Sequence, residues 1–292
     1  MKENNSLPLV MMHDVEYIYS NGTVALKRVS LNINKGEFVA IMGQNGAGKT
    51  TLIRTINGLI RPTKGEIFLE GENIDSKTIA TLSKKVGIIF QNPTHQLFSN
   101  TVEDEIKFSL KNLNLDREEI QIKVDKVLKE FNLEKYRKRS PLSLSGGESK
   151  KIAVASIICR DPEILVFDEP TLGQDAKEIR FFVKLIHNEI KKGKTIIMVT
   201  HSVEFTIEHS PRTILMSGGR IIADGPTKNV LTNEFLVENS SLVLPQIYRL
   251  RIELQKIGID VPKEVVKEQE MIDFLNIYLE NKTTSIPEGR LN

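Results

Sequence analysis

The segment Gly43-Gln44-Asn45-Gly46-Ala47-Gly48-Lys49-Thr50 constrains this chain more than any other. It fits G-x-x-x-x-G-K-[ST]. In that pattern glycines let backbone N–H groups converge on phosphate oxygens, and the N-terminus of the helix that follows adds positive field. An apolar run, Val39 to Met42, precedes it, and a helical pattern, Thr51 to Gly58, follows. A strand, a glycine loop and a helix in that order predict a phosphate cradle. Lys49 is placed to reach the β- and γ-phosphates of a nucleotide and the Thr50 hydroxyl to ligate Mg²⁺.

Further short β-branched runs alternate with helical patterns. Val86 to Phe90, Ile164 to Phe167 and Thr195 to Val199 read as buried strands of a parallel sheet covered on both faces. Thr213 to Met216 and Arg220 to Ala223, joined by Ser217-Gly218-Gly219, read as a hairpin. The expected fold is α/β. Residues from about 92 to 160 are richer in charge and helix formers and predict an inserted helical subdomain. After about Glu234, Leu244, Ile247, Leu250, Leu254 and Ile257 recur at helical spacing, as do Val265, Ile272, Leu275 and Leu279. Two amphipathic helices are expected there, with a frayed tail over 283–292.

Two more segments bear chemistry. Ile164 to Glu169 is an apolar strand ending in two carboxylates. Asp168 suits an Mg²⁺ ligand, and the adjacent Glu169 requires a cation or a catalytic task to account for it. Leu144-Ser145-Gly146-Gly147-Glu148 supplies a hydroxyl and free N–H groups before a helix, another anion-binding arrangement. It also reads as a helix cap, with Ser145 and Glu148 forming a capping box; both can hold at once.

Composition limits the partners. Lys and Arg total 40 and Asp and Glu 38, a net charge of +2, which gives no electrostatic footprint for nucleic acid. A single cysteine, Cys159, excludes an internal disulfide and reads as an inert buried thiol. Met1 to Glu16 lacks the apolar core of a secretory signal, and no stretch approaches the ~18 apolar residues of a membrane span, so none is expected.

The phosphate loop, then Leu-Ser-Gly-Gly-Glu, then Asp168-Glu169-Pro170-Thr171 resembles the ATP-binding subunit of ABC transporters, in order and spacing over nearly all of residues 8–230. The resemblance implies a P-loop ATPase core with an antiparallel β subdomain over 8–232 and a C-terminal helical extension over 233–282. It implies ATP and Mg²⁺ as cofactors, bound by Gly43 to Thr50 and by Thr51. Tyr19 then corresponds to the aromatic that stacks on adenine, although it also reads as a strand residue sharing a face with Val15 and Tyr17. Gln91 corresponds to the Q-loop glutamine at Mg²⁺ or the attacking water, Glu169 to the general base, Asp175 to the D-loop aspartate at a dimer interface, and His201 to the histidine that contacts the γ-phosphate. His13, His187 and His209 correspond to nothing and are read as structural. The resemblance further implies that two subunits pack head to tail, with Ser145, Gly146 and Gly147 completing the partner's ATP site. Two departures stand out: Glu148 where the family more often has Gln, and Gln174 where it more often has Leu.

Gln91 to Glu105 and the tail from Leu244 resemble one branch in particular, the A component of energy-coupling factor (ECF) importers and the related cobalt and nickel importers. That branch implies a peripheral ATPase on the cytoplasmic face of the cell membrane, working with a transmembrane coupling subunit and a substrate-binding membrane subunit that selects a vitamin or transition-metal ion. Leu97 and Phe98 are candidate anchors for the coupling subunit, or core residues of the helical subdomain. His95, lacking a ligating neighbour, reads as a loop contact. Arg137-Lys138-Arg139 reads as a solvated helix end or a contact for lipid head groups. Competing readings are a conventional binding-protein-dependent importer ATPase, a non-transport ABC ATPase of DNA repair or translation, and a subunit that binds ATP without turnover. No sustained heptads separate the two glycine motifs and only one ATPase cassette is present, which disfavours the repair and translation class.

Overall fold

A computed structural model describes residues 7–284. The chain opens with an antiparallel pair, β1 (Val10–Ile18) and β2 (Val24–Ile33), and then β3 (Phe38–Met42), α1 (Lys49–Ile56), β4 (Lys64–Leu69) and β5 (Glu72–Asn73). There follow α2 (Ile79–Lys85), β6 (Val86–Ile89), α3 (Val102–Leu110), α4 (Arg117–Glu130), α5 (Gly146–Ile158), β7 (Ile164–Asp168), α6 (Ala176–Lys191), β8 (Thr195–Val199) and α7 (Val203–His209). The hairpin β9 (Arg212–Ser217) and β10 (Arg220–Pro226) leads to α8 (Thr227–Leu231), α9 (Glu234–Asn239), α10 (Gln246–Lys256) and α11 (Glu268–Thr284).

Two sheets form, a four-stranded one in the order β2-β1-β4-β5 and a six-stranded one in the order β10-β9-β3-β8-β7-β6. In the larger sheet β9, β3, β8, β7 and β6 run parallel, and only β10 is antiparallel to its neighbour. The α/β reading of the sequence therefore holds. The apolar runs carry no polar alternation because both faces of this sheet are covered. Val39, Ile41, Ile164, Val166, Ile197 and Val199 face one core, shared with α1 and the smaller sheet. Phe38, Leu165, Phe167, Ile196 and Met198 face a second core, made with α3 to α6. Successive side chains of a strand point to opposite faces, so each run serves both layers.

Four parallel strands end on the same edge. Gly43 follows β3, Gln91 lies just beyond β6, Asp168 ends β7 and His201 lies just beyond β8. The carboxyl edge of a parallel sheet is where ligands bind in open α/β folds.

Several local expectations are resolved. Leu97 is 3% exposed and belongs to the helical core, whereas Phe98 is 60% exposed and packs edge-on against the equally exposed Phe108, 4.7 Å between ring centres. Leu97 is thus a core residue of the helical subdomain, and Phe98 is not. Arg137 to Arg139 are not a free basic end: Arg137 pairs with Glu103 and Asp125, Lys138 pairs with Glu103, and Arg139 lies over Tyr136. Tyr19 lies just past the end of β1 and is not a strand residue. The C-terminal helices form as expected, but Leu244, Ile257 and Val265 lie outside them. Helix α11 runs to Thr284, two residues into the segment read as a tail, and the rest of that segment lies outside the described residues.

Glu103 accounts for the basic cluster. Its carboxylate is 6% exposed and receives Lys107 at 2.8 Å and Lys138 at 2.6 Å, which hold its pKa down at about 2. A carboxyl depressed on folding stabilises the fold above its ordinary pKa, and that contribution disappears as pH falls toward the folded value. Glu103→Gln is expected to lower Tm at neutral pH. The gap from the parent chain should close between about pH 4 and pH 2, as thermal melts across that range will show. Lys138 is 78% exposed, so salt will shrink the gap as well.

Candidate functional site

The loop Gly43 to Gly48 is held tightly where it leaves β3. Gly43 has φ +138, and a Cβ there would lie 2.1 Å from the Met216 carbonyl oxygen. Gly48 has φ +98, and a Cβ would lie 2.5 Å from the Ala25 carbonyl oxygen. No L side chain fits either place, so the loop passes between β9 and β2 only as glycine. Lys49 starts α1 and folds back over the loop, its Nζ donating to the Gly43 carbonyl at 2.7 Å and the Gln44 carbonyl at 2.8 Å. Its head is held at the loop where phosphates would lie. Burial lowers its pKa, while the nearby Glu169 and Asp168 oppose that shift.

A cleft of about 560 Å³ opens over this loop. Tyr19, Asn45, Gly46, Ala47, Gly48, Lys49, Thr50, Thr51, Gln91, Asp168, Glu169 and His201 all line it, residues drawn from positions 19 to 201. Thr50 Oγ1 lies 3.4 Å from Asp168 Oδ2. A hydroxyl and a carboxylate converging on one point are hard oxygen donors of the kind Mg²⁺ prefers, and the exposed Gln91 borders the same space. The donor set thus fits the ion. Burial raises the pKa of Asp168, while the Thr50 hydroxyl and the charges of Arg54 and Lys49 oppose that shift.

Glu169 is unusual in three respects. It takes φ +48, rare outside glycine and asparagine. That geometry is pinned by its own N–H donating to the Val199 carbonyl at 2.9 Å and by Lys150 Nζ donating to its carbonyl at 3.3 Å. Its Oε2 accepts the His201 backbone N–H at 3.3 Å, while Oε1 is buried with no hydrogen-bond partner among the described residues. His201 Nε2 approaches Oε1 at 3.2 Å without making an aligned bond. Burial raises the Glu169 pKa, and burial followed by the charge of Lys49 lowers that of His201. Both shifts raise proton affinity on the carboxylate and lower it on the imidazole, which suits an acceptor beside a neutral histidine.

Tyr19 reaches across from the smaller sheet. Its hydroxyl bonds to Thr51 Oγ1 at 2.9 Å, and its ring stands edge-on to Tyr17 at 4.9 Å. The ring borders the cleft and is 37% exposed.

Not every expected residue enters this cleft. Gly43 lies beneath it, and the Gln44 side chain turns away to accept a hydrogen bond from Ser241 Oγ at 2.9 Å. Gly146 and Gly147 line a separate cleft of about 650 Å³, which Gln91 and Gln174 also border. Ser145 caps α5, and the capping box is complete: Glu148 N–H donates to Ser145 Oγ, and Ser145 N–H donates back to Glu148. Ser145 Oγ also donates to Glu148 Oε2 at 2.9 Å, and the Tyr136 hydroxyl donates to Oε1. Exposed Asp175 caps α6, accepting the Glu178 N–H at 2.8 Å. Cys159 is buried, its thiol pushed up to about 11, and is inert as expected. His13, His187 and His209 lie outside the cleft.

Sequence reasoning missed Lys150. It is 8% exposed, with Nζ bridging the Glu169 and Leu172 carbonyls at 3.3 and 3.4 Å. A lysine on the buried face of an apolar helix, just after the second glycine motif, was the available signal.

Comparison with known proteins agrees with this geometry. A family model described as ABC transporter matches residues 26–172. The energy-coupling factor transporter ATP-binding protein of Methanocaldococcus jannaschii is 37% identical over 83% of this chain and 88% of its own length. A putative ABC transporter ATP-binding protein of Methanosarcina acetivorans is 40% identical over 89% of this chain; the chain spans only 42% of that relative, and 44% of a similar one from Methanosarcina mazei. Among solved structures, cbiO1 of Clostridium perfringens, described as part of the ABC transporter complex cbiONQ, superposes with a TM-score of 0.71 at 34% identity, over 84% of this chain and 99% of that one. A dimeric ATP-binding cassette in a post-hydrolysis state with ADP and Pi superposes with a TM-score of 0.68 at 28% identity, over 75% and 98%. By its motifs, its fold and these likenesses, the chain belongs to the ABC transporter family, among the ATP-binding proteins.

Proposed function

We propose that this chain binds and hydrolyses ATP to energise an ECF-type membrane importer of vitamins or transition-metal ions, acting as a head-to-tail dimer on the cytoplasmic face of the membrane. The observation that carries the catalytic reading is the buried, unpartnered Oε1 of Glu169 beside Lys49, Asp168 and His201. A glutamate kept only for the fold would have both oxygens satisfied. Here Oε1, faced by His201 Nε2 at 3.2 Å, is the oxygen left to take a proton from water in line with the γ-phosphate, while Lys49 and the loop N–H groups stabilise the charge that develops. His201, beside Glu169, contacts the γ-phosphate. Thr50 and Asp168 would hold Mg²⁺, with Gln91 a further candidate ligand, and the ion would neutralise charge on the β- and γ-phosphates.

The second half of each site comes from the partner's Ser145 to Gly147; in their own subunit Gly146 and Gly147 border a different cleft from the one over the phosphate loop. Asp175 sits at the same dimer face. The helical subdomain over about 92–160 presents exposed Phe98 and Phe108 to a cytoplasmic segment of the transmembrane coupling subunit. The ECF assignment draws on relatives bearing that name at 34–39% identity. No helix of the described residues is long and apolar enough to cross a membrane. Co-purification from membranes tests this: capture of an ECF-type transmembrane component is expected, and capture of a conventional permease overturns the assignment.

Stacking of adenine on Tyr19 gives a further test. Base–aromatic stacking is worth about 1–3 kcal/mol, so Tyr19→Ala should weaken ATP binding about tenfold in a fluorescent-nucleotide titration. Tyr19→Phe loses only the hydroxyl bond to Thr51 and should retain most of the affinity.

A further inference from the structure

The two C-terminal helices both begin on α7, the short helix directly after His201. Neither start is incidental. Helix α10 has Pro245 at its N-cap and no side-chain cap of its own, yet its first amide, Gln246 N–H, donates to Glu204 Oε1 at 2.9 Å. The first amide of α11, Glu268 N–H, donates to Glu208 Oε1 at 3.1 Å, and Lys267 Nζ donates to the Glu208 carbonyl at 2.9 Å. Glu204 and Glu208 stand one turn apart on the same face of α7. A helix N-terminus leaves backbone donors unsatisfied and carries partial positive charge, so a carboxylate supplied from elsewhere is a strong anchor. One helix face thus caps two helices of the extension.

Beneath that face the contact is apolar. Val203 and Ile207 of α7 are buried with Val266, Leu215 and Met42, the residue immediately before Gly43. At its other end α7 is joined rigidly to the chemistry: Ser202 caps it by accepting the Phe205 N–H at 3.2 Å, and the preceding His201 N–H donates to Glu169 Oε2. Helices α10 and α11 are thus bonded to α7, and α7 follows directly on His201, which is bonded to Glu169. The same stretch of chain touches the phosphate loop through Ser241 and Gln44.

We propose that Glu204 and Glu208 are positioning residues: they tie the C-terminal extension to His201, so that the placement of the extension sets the rate of hydrolysis and leaves ATP affinity alone. This rests on the reading of His201 as a γ-phosphate contact. The test uses the full chain carrying Glu204→Ala and Glu208→Ala together, with Glu204→Gln and Glu208→Gln together as the conservative pair, because a glutamine carbonyl still accepts the same N–H. Coupling carried by such a network is modest, so kcat should fall roughly tenfold in the alanine pair with KM for ATP unchanged. Hydrogen exchange at the starts of α10 and α11 should quicken, and the glutamine pair should restore kcat. If exchange quickens while kcat holds, the caps do not govern the site and the proposal fails. If kcat, KM and Tm all worsen and glutamine does not rescue, the residues are merely structural and it fails as well. His201→Ala separates the two layers: a variant that still hydrolyses ATP at the parent rate sinks the reading of His201 itself, whatever the glutamates do.

Discussion

Glu169→Gln should abolish steady-state ATP hydrolysis while ATP still binds. A general base contributes about 10²–10⁴-fold, so a loss of at least a hundredfold is expected in a phosphate-release assay. Binding should persist because the loop glycines, Lys49 and Thr50 are untouched, and the glutamine amide still accepts the His201 N–H. The same substitution should raise the melting temperature of the nucleotide-free chain. Burial pushes the Glu169 pKa above its unfolded value, so its ionised form opposes folding, and stability is lost as pH rises through the folded pKa. An uncharged amide removes that pH-dependent loss. Thermal melts should therefore show the parent chain and the variant converging as pH falls below the carboxylate range, with the variant ahead at neutral pH. Hydrolysis at the parent rate in Glu169→Gln would remove Glu169 as the base.

The second large effect tests whether the site is shared between subunits. Lys49→Ala removes the cation held at the phosphate loop and should cost at least a hundredfold in nucleotide affinity, the loss of a buried charge-assisted partner. Gly146→Asp should leave its own subunit folded, since nothing lies within 4 Å of a Cβ there and an acid is welcome in the first turn of α5. It places a carboxylate where a partner's phosphate must sit, and should be inactive too. Mixed together, the two variants form dimers in which one composite site has an intact loop from one chain and an intact Ser145 to Gly147 from the other. Half of random pairs are mixed and each has one good site, so about a quarter of the parent activity should return. If mixed dimers form, as native mass spectrometry can count, and no activity returns, the two motifs do not meet across an interface.

Much of this was legible in the sequence because the decisive features are local. Val39 to Thr50 is a strand, a glycine turn and a helix start in consecutive residues, and each is required by its own chemistry. The doubled carboxylate at Asp168 and Glu169 could be read as costly without knowing its neighbours. What the sequence could not show was which side chains turn away. Gln44 lies within the loop motif yet bonds to Ser241, nearly two hundred residues on. Leu97 and Phe98 are adjacent and chemically alike, and only the path of the chain before α3 sends one inward and the other out. Arg137 and Lys138 read as a solvated end because their counterion, Glu103, lies on another helix. Lys150 left only its place on an apolar helix face as a sign, because its partners are carbonyls, which have no sequence signature.

The bonds between Ser145, Glu148 and Tyr136 have one further consequence. With glutamate in place of the family's usual glutamine, the serine hydroxyl is already engaged as donor and acceptor within its own chain. On the shared-site reading proposed above, a partner's ATP would have to displace the Glu148 carboxylate from the Ser145 hydroxyl before that hydroxyl could reach a phosphate, so closing the site would carry a cost set within this chain.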